Sequence, residues 1–147
     1  MSFFNSINIS ATGLTAERLR MDTISKNIAN ANTTRTANGS PYRRQVVVFK
    51  TKEANIPFSQ YLNKTIGNDA KFNGVEVVGV KDHQSPYKKI YDPGHPDADQ
   101  EGYVSMPNVD IITEMANMIS ASRGYEANVT ALNTSKSMAM KALQIGR

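Results

Sequence analysis

Two clusters of side chains in this 147-residue chain are dense enough to suggest chemistry. The first is His95 with Asp92, Asp97 and Asp99. Imidazole and carboxylate donors of this kind hold divalent cations when they converge on one point. The spacing fits neither an EF-hand loop nor a zinc-binding histidine motif, and Pro96 restricts convergence. Asp92–Pro93–Gly94–His95–Pro96 is instead a strong turn signal, because two prolines limit the chain beside a glycine. The expectation is a solvated turn with no metal, and Tyr103 just beyond it serves as a rigid contact for a neighbour.

The second cluster is Tyr42–Arg43–Arg44, with Arg35 upstream. Arginines beside an aromatic ring can contact phosphate while the ring stacks on a base. No complete nucleic-acid module surrounds them, and neither end of the chain carries a dense basic stripe. The favoured reading is contact with the acidic middle of another subunit. A solvated strand entrance and a small basic nucleic-acid-binding adaptor are the alternatives.

Nothing else points to catalysis. The chain has two histidines, His83 and His95, and no cysteine, so neither a thiol nucleophile nor a disulfide framework is available. Ser85 near His83 lacks the surroundings of a nucleophile elbow, and no glycine-rich phosphate loop is present. No enzymatic activity and no cofactor are expected.

Residues 1–50 carry seven Lys/Arg against two Asp/Glu, and residues 51–107 carry six against eight, within a net charge of +4. This imbalance suits contact between the basic part of one subunit and the acidic part of another. No run approaches 18 apolar residues, so no membrane-spanning segment is expected. Ser2 to Ser10 has no basic start and is broken by Asn5, Ser6 and Asn8, which does not read as a cleavable signal.

These clusters lie on or between a small set of elements. An amphipathic helix is predicted from about Ser6 to Ala31. It fails in Asn30–Ala31–Asn32–Thr33–Thr34, whose side chains compete for backbone hydrogen bonds. Val46–Val47–Val48–Phe49 reads as a strand, Val75 to Val80 as a second and Tyr87 to Tyr91 as a short edge strand. Residues 54–67 and 92–107 read as irregular connections. After Pro107 a helix is predicted from about Asn108 to Ile145. The fold class is therefore α+β, with long N- and C-terminal helices packed as a coiled-coil-like domain (residues 1–31 and 108–147) and a small β-rich, irregular middle (residues 32–107).

Both predicted helices repeat apolar residues every seven positions: Ile7, Leu14, Met21 and Ile28 in front, and Ile111, Met118, Tyr125, Leu132 and Ala139 behind. Met115, Val129 and Leu143 occupy a neighbouring ridge. Such a repeat maintains a narrow seam for another helix. Ser122 and Lys136 interrupt it, so an autonomous two-stranded coiled coil is not expected. The front helix can cover only part of the longer back helix as an antiparallel partner, which leaves apolar surface for copies or relatives of the chain. Gly13 and Gly124 are candidate points of close helix contact.

Three blocks carry a resemblance. The first is Leu14–Thr15–Ala16–Glu17–Arg18–Leu19–Arg20–Met21–Asp22, continuing through Asn27–Ile28–Ala29–Asn30–Ala31–Asn32–Thr33–Thr34–Arg35–Thr36 to Pro41–Tyr42–Arg43–Arg44–Gln45. The second is Asp92 to Asp99 followed by Gly102–Tyr103–Val104 and Pro107–Asn108–Val109. The third is Glu114–Met115, then Arg123–Gly124–Tyr125–Glu126–Ala127–Asn128 and Lys136–Ser137–Met138. Together they resemble the rod–hook axial family of the bacterial flagellar basal body, in particular its small proximal-rod members. Gly124–Tyr125–Glu126 departs from that family's frequent Ala–Tyr–Gln.

The resemblance implies a non-enzymatic subunit of the rod, outside the cytoplasm. Its terminal helices would surround the export channel, and its partners would be copies of itself, other rod proteins, adjoining basal-body components and, in transit, the flagellar type III export apparatus. The residues expected to make assembly contacts are Leu14, Met21, Ile28, Asn30, Arg43, Arg44, Tyr103, Met118, Tyr125, Val129 and Leu132.

Overall fold

The computed structural model describes residues 3–53 and 72–145. The connection predicted over 54–67 lies outside them. In chain order the elements are helix α1 (Phe3–Ala29), strands β1 (Gln45–Glu53), β2 (Phe72–Asp82), β3 (Lys88–Tyr91) and β4 (Tyr103–Met106), and helix α2 (Ile111–Ile145). This is the α+β arrangement that the sequence predicts, with long helices at both ends. Among the described residues no helix is long and apolar enough to cross a membrane.

The helix ends follow local chemistry. At the end of α1, the Asn30 side-chain amide donates to the Lys26 carbonyl at 2.9 Å, and the Thr33 hydroxyl donates to Asn30 Oδ1 at 3.2 Å. These bonds draw the chain out of the helix into a turn. Helix α2 begins at Ile111, later than the predicted Asn108, because Asp110 is its N-cap. The Thr113 hydroxyl donates to Asp110 Oδ2 at 2.6 Å, and the Glu114 amide donates to the Asp110 carbonyl at 2.9 Å. The Thr113 hydroxyl is the main reason that the Asp110 carboxyl sits below its ordinary value, although desolvation opposes it.

The helices run antiparallel. A Cβ added at Gly13 would meet the Asn128 side chain, and one added at Gly124 would meet Glu17. The side chains of Asn27 and Glu114 are hydrogen-bonded. Each step forward along α1 thus matches an equal step back along α2, in one constant register. A helical glycine costs roughly 1 kcal/mol relative to alanine; here the missing side chains make room for polar side chains of the opposite helix. Helix α2 spans about 52 Å and α1 about 40 Å at the usual rise. In this register α2 outruns the start of α1 by about two turns.

The seam differs from the predicted one on one side. Along α2 the less exposed positions include Glu114, Met118, Ala121, Tyr125, Asn128, Leu132, Ser135 and Ala139, at alternating spacings of four and three. Met118, Tyr125 and Leu132 therefore lie where the seven-residue repeat puts them. The ridge that completes the seam is Glu114, Ala121, Asn128 and Ser135, small and polar. Met115 and Leu143, predicted on the neighbouring ridge, are exposed, as is Ile111. The predicted uncovered apolar surface on the back helix is present.

The middle packs as two antiparallel pairs, β1 with β2 and β3 with β4. Strand β1 pairs with β2 from Gln45↔Asp82 to Glu53↔Phe72, with register shifts after Val48 and Thr51. Strand β4 falls within the predicted 92–107 connection. Its four residues, between Gly102 and Pro107, are too short to show a period, and pairing with β3 defines them. The β1–β2 pair lies on α1 at Gly74, which has φ +105, a region that L side chains rarely adopt. A Cβ there would run into the Thr12 side chain, whose hydroxyl oxygen accepts from the Val75 amide at 3.1 Å while donating to the Ile9 carbonyl at 2.7 Å.

Gly74→Ala combines backbone strain with that collision, so it should lower the unfolding free energy by about 1–3 kcal/mol. Denaturant unfolding equal to that of the parent chain would show that the strand does not depend on this approach.

Candidate functional site

The residues with the most specific surroundings lie where α1, the entrance to β1 and the start of α2 meet. Glu114 projects from the first turns of α2 into the seam and is 1% exposed. Its Oε1 accepts from Arg44 Nε at 2.9 Å and from the Arg44 terminal nitrogen at 2.7 Å. Its Oε2 accepts from the Asn27 amide at 2.9 Å. Both carboxylate oxygens are thus satisfied, which a buried charge requires.

Asn27, also 1% exposed, joins the helices to the strand. Its Nδ2 donates to the Gln45 carbonyl at 2.8 Å, and its Oδ1 accepts from the Gln45 amide at 2.9 Å, as a neighbouring strand would. The Tyr42 hydroxyl donates to the same Oδ1 at 2.9 Å. Burial, followed by the nearby charges of Asp82 and Glu114, pushes the Tyr42 phenol above its ordinary value. On the other side Asn108 Oδ1 accepts from the Arg44 amide at 2.8 Å, while its Nδ2 donates to the carbonyls of His83 and Ser85, each at 3.1 Å.

This arrangement can hold elements together and offers no reaction. Its donors and acceptors are occupied by one another; Ser85 Oγ lies 2.9 Å from His83 Nδ1, and Asn108 Nδ2 donates to the same oxygen at 2.7 Å, which ties that hydroxyl into the cluster. The side chains around His95 are held in local turn bonds and in one bond to the segment after α1. Asp92 Oδ1 accepts from the Gly94 amide, Asp99 Oδ1 accepts from the Glu101 and Tyr103 amides, and Asp97 Oδ2 accepts from the Thr34 hydroxyl. Among the described residues no three metal-binding side chains converge.

The residues expected at assembly contacts take several positions. Leu14, Met21, Ile28, Met118, Tyr125, Val129 and Leu132 are half-buried along the helical pair, and Asn30 caps the end of α1. Arg44 is committed to Glu114. The Arg43 guanidinium lies 4.6 Å from the Tyr87 ring centre, and its Nε donates to the Tyr87 hydroxyl at 3.2 Å. Tyr103 packs edge-on to Tyr91, with ring centres 5.3 Å apart.

Sequence reasoning named Asn27 and Glu114 only as parts of a resemblance and missed that they bond to each other. The available signal was a polar residue recurring at a helical seam position in each helix.

The surface of α2 carries the other candidate feature. Ile112, Met115 and Ile119, spaced as one helical face, are 79%, 55% and 56% exposed. Leu143 and Ile145 at the far end are 72% and 85% exposed. Contiguous apolar surface of this kind marks an interaction site more often than chance exposure does.

Comparison with known proteins agrees with a role in assembly. Residues 7–35, most of α1 and the turn after it, match the family described as flagella basal body rod protein. Residues 100–145, covering β4 and α2, match the C-terminal family of the flagellar basal body rod FlgEFG proteins. The chain is similar to the flagellar basal-body rod protein FlgC of Borreliella burgdorferi, 50% identical over 154 residues, 99% of this chain and 98% of that one. It is 47% identical to FlgC of Bacillus subtilis and 42% identical to FlgC of Escherichia coli O6:H1, in each case across the whole of both chains.

Two outcomes test the buried cluster. Arg44→Met leaves the Glu114 charge buried and partly unpaired, and should cost about 3–5 kcal/mol in urea unfolding. Adding Glu114→Leu should recover most of that loss; a double variant no more stable than the single one would refute the pairing. The folded chain also holds the Tyr42 proton more tightly than the unfolded chain does. That contribution is fully present below pH 10.0 and is lost as pH rises through the higher folded value. Unfolding free energy should fall less steeply above pH 10 in Tyr42→Phe than in the parent, and parallel profiles would count against this role.

Proposed function

The chain belongs to the family of FlgC flagellar basal-body rod proteins, and from that membership we propose that it polymerises with copies of itself and with other axial proteins around the export channel. It is a structural subunit of the basal-body rod and not an enzyme. On this reading its helices form an inner layer, the β-rich middle lies outside, and many staggered contacts let the shaft transmit motor torque to the hook. The chain travels unfolded through the flagellar type III export apparatus and folds beyond the membrane.

The observation that carries this reading is the division of labour in α2. Its inward ridge is small and polar, and it is matched to α1 by Asn27–Glu114 and by the two glycines. Its large apolar residues, Ile112, Met115 and Ile119, face away from the chain's own core. A subunit that functioned alone would place those groups the other way round, since each fully buried aliphatic side chain contributes roughly 1.5–3 kcal/mol. The predicted contacts Leu14, Met21, Ile28, Met118, Tyr125, Val129 and Leu132 are half-buried already, so neighbours would cover what α1 and α2 leave open.

Ile119→Glu separates assembly from folding, because the position is exposed in the single chain. The purified variant should melt within about 2 °C of the parent, since exposed substitutions usually cost under about 0.5 kcal/mol. Cells that carry it should lose rods and swimming, whereas Asn38→Glu in the exposed turn after α1 should leave both intact. Normal rods with Ile119→Glu would remove this face from the assembly.

A further inference from the structure

Of the chain's asparagines, only Asn38 and Asn73 are followed by glycine. Such a pair is prone to lose its side-chain amide, because glycine has no Cβ to shield the backbone nitrogen that attacks it. The fold places the two pairs in opposite surroundings. Asn38 and Gly39 lie in the exposed turn after α1, and a Cβ added at Gly39 would meet nothing within 4 Å. Gly74, which follows Asn73 in β2, is pressed against Thr12 of α1.

We propose that the folded chain deamidates at Asn38, giving isoaspartate and aspartate in the turn, and that packing on α1 spares Asn73. The inference is independent of the rod reading and holds whatever the chain assembles with.

The reaction needs only water. Hydroxide removes the Gly39 amide proton, and the nitrogen attacks Cγ of Asn38. The new bond joins that nitrogen to Cγ, the Cγ–Nδ2 bond breaks, and ammonia leaves with a proton from water. Water then opens the cyclic imide at either of its carbonyls. Opening at Cγ leaves aspartate. Opening at the backbone carbonyl leaves isoaspartate, which carries an extra methylene in the main chain.

The turn restrains this step only weakly. The Gly39 amide donates to the Thr36 carbonyl at 2.9 Å, and the Thr36 amide and hydroxyl donate to the Ser40 carbonyl at 2.9 and 2.8 Å. Freeing the nitrogen breaks one exposed hydrogen bond, which slows the reaction by about tenfold at most. At Asn73 the same closure requires Gly74 to leave Thr12 and the Val75 amide to give up the Thr12 hydroxyl at 3.1 Å. That is a local unfolding of the strand from the helix, and it is much rarer. Each conversion at Asn38 lowers the net charge of +4 by one. It falls where nothing is packed, so converted chains stay folded and the turn's charge records the time since synthesis.

The test is peptide mass spectrometry on the purified full-length chain, aged in mildly alkaline buffer with and without urea. Trypsin separates the two sites, since Arg35 and Arg43 bound the peptide 36–43, and Lys71 and Lys81 bound the peptide 72–81. In urea both peptides should convert at similar rates. In the folded chain 36–43 should convert within about tenfold of its urea rate, as two chromatographic isomers heavier by the replacement of NH with O. The folded 72–81 peptide should convert at least about a hundredfold more slowly than in urea. Thr12→Ala, which frees the Val75 amide, should speed that conversion several-fold and leave 36–43 unchanged. Folded Asn38 that stays intact as long as folded Asn73 overturns the proposal. So does equal conversion of both in the folded chain, or an aspartyl product without its isomer. No acceleration by Thr12→Ala would overturn the protection assigned to α1.

Discussion

A carboxylate buried inside a helical seam is the constraint on which this structure depends. Glu114 is almost wholly removed from water, so its charge must be met by donors at fixed positions. Those donors come from two other parts of the chain: Arg44 at the entrance to β1, and Asn27 near the end of α1. The pairing of the helices is therefore tied to the placement of the first strand. A helical pair formed without Arg44 would hold an uncompensated charge, so α1, α2 and the β-rich middle reach low energy together.

The same cluster accounts for how the middle is attached. Asn27 uses its side-chain amide to pair with both backbone groups of Gln45, continuing the strand ladder into the helix. Asn108 does related work before α2, holding the Arg44 amide on one side and the His83 and Ser85 carbonyls on the other. Two asparagines and one ion pair thereby position a two-stranded sheet that is too small to be stable alone. Specific polar geometry supplies the orientation that a larger apolar core would otherwise provide.

With the interior organised by polar contacts, the large aliphatic groups of α2 are left for the surface. A subunit of the basal-body rod assembles with other rod and basal-body components. The division leaves each copy with an internally determined shape and a sticky exterior. Met115, Met138 and Met140 add exposed side chains of a type that conforms readily to the surface it meets.

Much of the fold was legible in the residues. Seven-residue periodicity located both helices and correctly singled out Met118, Tyr125 and Leu132 as seam positions. Runs of β-branched residues located β1 and β2, and asparagine with threonine marked the end of α1. Periodicity could not say which flanking ridge completes the seam, because Met115–Val129–Leu143 and Glu114–Ala121–Asn128 both fall on seven-residue repeats, fourteen apart in the first and seven in the second, and differ in rotation about the helix axis. That rotation is decided by the close approach at Gly13 and Gly124 and by the bond between Asn27 and Glu114, residues 87 positions apart. Arg43 and Arg44 show the same limit. Their charge and position were evident, but only the folded chain places Tyr87 over one and Glu114 against the other. The sequence by itself determined which segments become helix or strand, since those choices depend on neighbours a few residues away. The tertiary structure decided which groups are left to meet another subunit, because that depends on partners distant in the chain competing for the same faces.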